Sequence, residues 1–147
     1  MGQQQLLLIV LSVIIVGVAI AVGVTQFQSN AVESNRQAVI SDLVNYSAKA
    51  QRFYRTPTQL GGGSQNFNGF TMSPLDTANA NGNYIVTATA PTGTAAIAAG
   101  GTLPTIGSAA TTIYIAGSGQ EMGNNGTTPV KAYATVTANS ITTTILN

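Results

Sequence analysis

The 147-residue chain contains no histidine and no cysteine. The usual general base and commonest metal ligand is therefore missing, and so are thiolate nucleophiles and any disulfide framework. Its four carboxylates, Glu33, Asp42, Asp76 and Glu121, are scattered without the close spacing of an acid/base pair. Serine and threonine are plentiful but have no partner base, so the sequence predicts no enzyme and no cofactor. The run 76–83 (DTANANGN) has the outline of a calcium loop. It offers one carboxylate among amides where such a loop supplies several, and it reads as a turn. Two acceptor patterns for N-glycosylation occur, at Asn45 on a helical stretch and at Asn125 in a loop; Asn125 is the better candidate. Lys49, Arg52 and Arg55 cluster just before a helix stop. Cations are favourable at a helix C-terminus, and the same three could meet Glu33 or Asp42 of a neighbouring copy.

With so little side-chain chemistry, the informative stretch is an apolar one. Residues 6–24 (LLLIVLSVIIVGVAIAVGV) are interrupted only by Ser12, Gly17 and Gly23, and no charge precedes Glu33. At about 1.5 Å per residue these residues span roughly 28 Å, the hydrocarbon thickness of a bilayer. The stretch is apolar on all sides, so as a helix it must be enclosed by lipid or protein all round. A secretory signal has a basic start and a shorter apolar core. Here Met1-Gly-Gln-Gln-Gln carries no lysine or arginine, so a retained anchor is expected.

The helical rhythm continues beyond Val24 through Val32, Val39, Ile40, Leu43, Val44, Ser47, Ala50 and Tyr54. Pro57 and the glycines at 61–63 form a strong stop. One helix of some fifty residues, roughly 75–80 Å long, is therefore predicted over 1–55, with 6–24 as its membrane or filament-core segment. The remainder, 56–147, is predicted as a β-rich head. Residues 61–70 read as a flexible connector that Phe67 and Phe70 dock onto the helix or sheet. Strands are expected at 84–90, 111–116, 131–138 and 140–146, with a weak one at 102–106. A tight turn is expected at 138–140 and a longer loop at 117–129. Residues 92–101 are left unassigned. Short connections make the sheet antiparallel. Alternation in Tyr84/Val86/Ala88 and Tyr133/Thr135/Thr137 predicts one packed face and one Thr-rich face. The packed face must be covered by the second half of the helix, with Leu43 and Val44 closing the core. The fold class is thus α+β, a long N-terminal helix on a small antiparallel sheet.

Charge supports no nucleic-acid partner. Charged residues make up 6% of the chain and the net charge is +1, where nucleic-acid binding needs a concentrated basic face. The helix carries +2 and the head −1.

An apolar helix running directly into an amphipathic one, then a Gly-rich loop and a small sheet, resembles a type IV pilin or pseudopilin. The residues that carry the likeness are 5–10 (QLLLIV), Gly17, 35–45 (NRQAVISDLVN) and the stop at Pro57. It covers the first sixty residues well and the sheet in outline. The resemblance implies a homopolymeric filament at the cell surface whose core is bundled N-terminal helices. It also implies residence in the inner membrane before assembly, together with a prepilin peptidase and pilus assembly machinery as partners. Gln5, Leu6, Leu7, Ile9, Val13, Ile14, Val16, Gly17 and Ile20 become assembly residues, and Gly2 a processing site. The family favours glutamate at the fifth mature position. That place holds Gln5 if Met1 is the mature start and Leu7 if cleavage follows Gly2. The alternatives are a secretion-system pseudopilin and a single-pass, membrane-anchored binding protein whose head does the work.

Overall fold

The computed structural model describes residues 2–98, 106–107 and 110–147. One unbroken helix, α1 (Gly2–Arg55, 54 residues), is followed by a 3₁₀ turn at Thr58–Leu60 and four strands, β1 (Gly82–Thr87), β2 (Thr112–Met122), β3 (Pro129–Thr137) and β4 (Ile141–Ile145). The strands pair antiparallel in sequence order, β1-β2-β3-β4, as a meander. At 1.5 Å per residue α1 is about 80 Å long. The α+β architecture predicted from sequence, a long helix laid on a small antiparallel sheet, is the one observed, and it is pilin-like in outline.

Only the second half of α1 meets the sheet. Val39, Leu43, Tyr46, Ser47 and Ala50 are buried, at spacings that keep one face of a 3.6-residue helix inward. They lie against Tyr84 and Val86 of β1, Ile113 and Ile115 of β2, and Ala132, Ala134 and Val136 of β3, in one core that also takes in Phe67, Phe70, Met72 and Ile106. Tyr46 meets Tyr84 edge to face, ring centroids 4.9 Å apart. Val44 does not close the core as expected: it is 43% exposed, because one step along the helix turns it about 100° from Leu43. Tyr46, absent from the predicted stripe, takes its place. Tyr133, Thr135 and Thr137 are half-buried on the face away from the helix, while Ala88 lies beyond β1 and is exposed.

Two expected loops are different in the structure. β2 runs on through 117–122, where a loop was predicted, because its glycines admit the helix. A side chain at Gly117 would collide with Tyr84 and Val39, and one at Gly119 with Asn35; glycine inside a strand marks such close approach. Residues 61–70 are no loose connector. The N–H groups of Gly63, Ser64 and Gln65 donate to the carbonyls of Phe53, Thr56 and Tyr54 at 2.8–3.0 Å, capping carbonyls that a helix end leaves unpaired. Phe67 and Phe70 dock as expected, against Tyr54 and Phe53. Of the weak strand at 102–106, residues 102–105 lie outside the described residues, and Ile106 is a buried core residue in irregular chain.

Truncation tests this division of labour. A fragment beginning at Gln28 is expected to be soluble, monomeric and cooperatively folded. Within it Leu43→Ala should cost about 2–5 kcal/mol and Val44→Ala within about 0.5 kcal/mol, read by chemical denaturation.

Candidate functional site

Among the described residues, none covers the apolar stretch of α1 from Leu6 to Val24. From Leu6 to Val24 the large apolar side chains are between 51% (Leu11) and 70% (Leu7) exposed. The segment is a cylinder about 10 Å across and 28 Å long, with roughly 900 Å² of apolar wall. The largest apolar patch on a typical monomer is about 300–600 Å². Gln5, Leu6, Leu7, Ile9, Val13, Ile14, Val16, Gly17 and Ile20 all lie on this bare stem, and Gly2 is the first residue of α1. Its polar atoms are silenced locally. The Ser12 hydroxyl donates to the Ile9 carbonyl at 2.8 Å and Thr25 to Ala21 at 2.9 Å, so neither needs water or a partner. Among the described residues, and apart from the helix's own backbone, nothing stands within 4 Å of the position of a side chain at Gly17 or Gly23. No contact among the described residues requires glycine there, although each costs a helix about 1 kcal/mol relative to alanine.

Below the sheet, a polar clamp fastens stem to head. Asp42, halfway along the docked part of α1, accepts three hydrogen bonds on one carboxylate oxygen: from Asn79 Nδ2 (2.9 Å), Asn81 Nδ2 (2.8 Å) and Tyr84 Oη (2.7 Å). The amide orientation of Asn79 is fixed, because its Oδ1 accepts the backbone N–H groups of Asn81 and Gly82. The predicted turn at 76–83 is thereby a set of donors to a helix carboxylate, not a cage of oxygens for a cation. Burial alone would raise the Asp42 pKa, but the three donors together hold it below the ordinary carboxylate value. The Tyr84 hydroxyl is pushed well above the usual tyrosine value, first by burial and then by its bond to Asp42.

Further ties run along the same helix. Asn35 donates to the Asn81 carbonyl at 3.0 Å and accepts from the Gln120 and Glu121 N–H groups. Arg36 bridges Glu33 (2.6 Å) and Asn124 (3.0 Å). Lys49 pairs with Asp76 at 2.8 Å. Gln51 and Arg55 donate to the carbonyls of Thr137 and Ala138 at the β3–β4 turn. Asp42 and Glu33 are thus engaged within their own subunit. On the outer face, the Lys131 amine donates to the Ala95 carbonyl at 3.0 Å and Asn83 donates to that of Ile97, so the loop before β2 is tied across the sheet. Burial pushes the Lys131 ammonium below the usual lysine range.

Of the glycosylation patterns, Asn45 is exposed on the helix and the tyrosine and serine after it are buried. Asn125 sits in the β2–β3 loop with its amide in use: Oδ1 accepts from the N–H groups of Thr127 and Thr128, and Nδ2 donates to Thr128 Oγ1 at 2.6 Å. Among the described residues no three of His, Cys, Asp and Glu come together as a metal site.

No family model, curated protein or solved structure matches the chain. The likeness to pilins therefore rests on the architecture and on the bare stem.

Sequence alone did not disclose Asn35, Gln51, Lys131 or the Asp42 clamp. Single polar residues on a helix look alike until their partners, up to 89 positions away for Gln51, are brought beside them. The alternating asparagines at 79, 81 and 83 were the one available signal.

The clamp sets a pH window. Asp42 has a folded pKa below its unfolded value, so its contribution is complete above about pH 5 and is lost as the pH falls through the folded value. Tyr84 has a raised folded pKa, so its contribution is complete below about pH 9 and declines as the pH rises past about 10. Asp42→Ala, leaving two amides and a hydroxyl without their acceptor, should cost about 1–3 kcal/mol at pH 7 and flatten the acid limb, as measured by denaturant unfolding across pH.

Proposed function

We propose that this chain is the structural subunit of a helical, type IV pilus-like filament at the cell surface, held in a membrane by residues 6–24 before assembly. The observation that carries the reading is the bare apolar stem continuing, without a break, into a helix that forms the core of the head. A bilayer can enclose the first half, and so can a bundle of identical stems. A membrane-tethered binding head would need freedom to move about its anchor, and flexible linkers provide that; here no linker separates stem from head. The spare room at Gly17 and Gly23 supports close approach of neighbouring helices, which glycine permits. Self-bonded Ser12 and Thr25 suit a core with no water. The near-absence of side-chain chemistry agrees with a structural rather than a catalytic role. Processing after Gly2 by a prepilin peptidase would leave Gln3 as the first residue.

Ile14→Asp places a charge at the middle of the stem. Aspartate at a membrane helix centre costs about 2.5–3.5 kcal/mol on insertion scales, and in a filament the penalty recurs in every subunit. The variant should insert poorly and form no filaments, while its head melts at the unmutated temperature. Negative-stain microscopy of both proteins is the measurement. Filaments of normal length from the variant would overturn the stem as the filament core, and an unmutated protein that never polymerises would favour the tether.

A further inference from the structure

The head carries two exposed patches of opposite charge at its two ends, and we infer that they are the two halves of one contact between successive copies of this chain. The inference rests on the filament reading and names the surface by which heads meet outside the helical core.

The lower half is a notch where the stem leaves the head. It is an open depression of about 530 Å³, walled by Thr25, Ser29 and Val32 of α1, by Met122 at the end of β2 and by Asn124 after it. Met122 is 51% exposed. Beside it stands Glu121, exposed and without a side-chain partner among the described residues. Arg36 and Glu33, which line the notch, neutralise each other, and the uncompensated carboxylate at this end is that of Glu121, one residue before Met122 and tied through its N–H to Asn35.

The upper half is the tip formed after α1 ends. Pro57 and the 3₁₀ turn Thr58–Leu60 project there, all four residues exposed, with Leu60 at 77%. Arg52, exposed and without an acceptor for its guanidinium among the described residues, shares a shallow surface with Leu60 and Thr56. Lys49 beside them is already paired with Asp76. Among the described residues the tip thus offers one apolar knob and, in Arg52, a guanidinium with no acceptor, while Arg55 is turned onto the Ala138 carbonyl; the notch offers an apolar wall with the unpartnered Glu121 carboxylate beside it.

Notch and tip lie at opposite ends of the head, roughly 35 Å apart along α1 by residue count. One subunit cannot close the contact on itself. Two different patches on one molecule make a head-to-tail contact, which propagates as an open helix when its rotation does not close a ring. Leu60 of one copy seats against Val32 and Met122 of the next, and Arg52 meets Glu121. The chain is so poor in charge that these two groups stand out: of four carboxylates, Glu33, Asp42 and Asp76 are engaged inside the subunit.

The test is charge reversal in the full chain, purified in detergent and assembled by detergent removal, with polymer measured by sedimentation and microscopy. Glu121→Arg and Arg52→Glu should each raise the critical concentration on the order of tenfold, because like charges are brought face to face in every contact. The double variant should return to within about threefold of the unmutated protein. Both residues are exposed, so unchanged thermal melting of each head is expected and is checked alongside. If single variants polymerise as well as the unmutated chain while Ile14→Asp does not, the notch-to-tip contact is wrong and the filament reading stands. A double variant no better than the singles also overturns the pairing. An unmutated chain that forms no polymer removes both readings together.

Discussion

The uninterrupted hydrogen-bond ladder of α1 is the constraint on which the molecule depends. Fifty-four residues share it, although their surroundings change completely part-way along. Over the apolar stretch no other element covers the helix among the described residues; over the second half the helix is the floor of a protein core. Because the ladder has no break, the direction in which the head faces is set by the direction of the stem. A break at 25–30 would have given an anchor and a freely hanging domain. Continuity gives one rigid rod with a head fixed to its side.

The head is economical in how it uses that rod. Four strands in a plain meander present one apolar face, and α1 is the layer that covers it. Val39, Leu43, Tyr46 and Ala50 supply the layer. Small residues let it come close: Gly117 and Gly119 on β2, with Ala132 and Ala134 on β3. Around this dry contact runs a polar seam in which the helix provides Asn35, Asp42, Gln51 and Arg55, and the head answers mostly with backbone carbonyls, backbone N–H groups and amides. A chain with 6% charged residues cannot hold itself together with ion pairs. It relies mostly on hydrogen bonds to amides and backbone groups, with the Asp42 carboxylate at the most crowded point and Lys49–Asp76 as the ion pair across the seam.

Much of this was legible in the sequence. The apolar block, its continuation as an amphipathic helix, the stop at Pro57 and the antiparallel sheet all leave periodic or punctuation signals that survive in one dimension. The strand at 117–122 did not, because GSGQEM has neither β-branched residues nor alternation; its glycines serve the helix crossing above them. Val44 and Tyr46 were interchanged because both fall within the spread of a helical stripe, and only Tyr84 across the gap decides between them. The Asp42 clamp depends on residues some forty positions apart that carry no spacing rule. The 61–70 segment looked loose for its glycines, whereas its amides are spent on capping the helix.

The seam also has a mechanical meaning. Its ties are spread along about twenty residues of α1, from Asn35 to Arg55, and they run sideways from the rod to the sheet. A pull on the head along the rod would load these bonds in shear, many at once, instead of peeling them one by one from an end. The capped helix end and the β3–β4 turn, gripped by Gln51 and Arg55, lock the far corner where peeling would otherwise begin. A fibre built from such units would carry tension through its rods, with each head riding on its own rod and bearing little of the load.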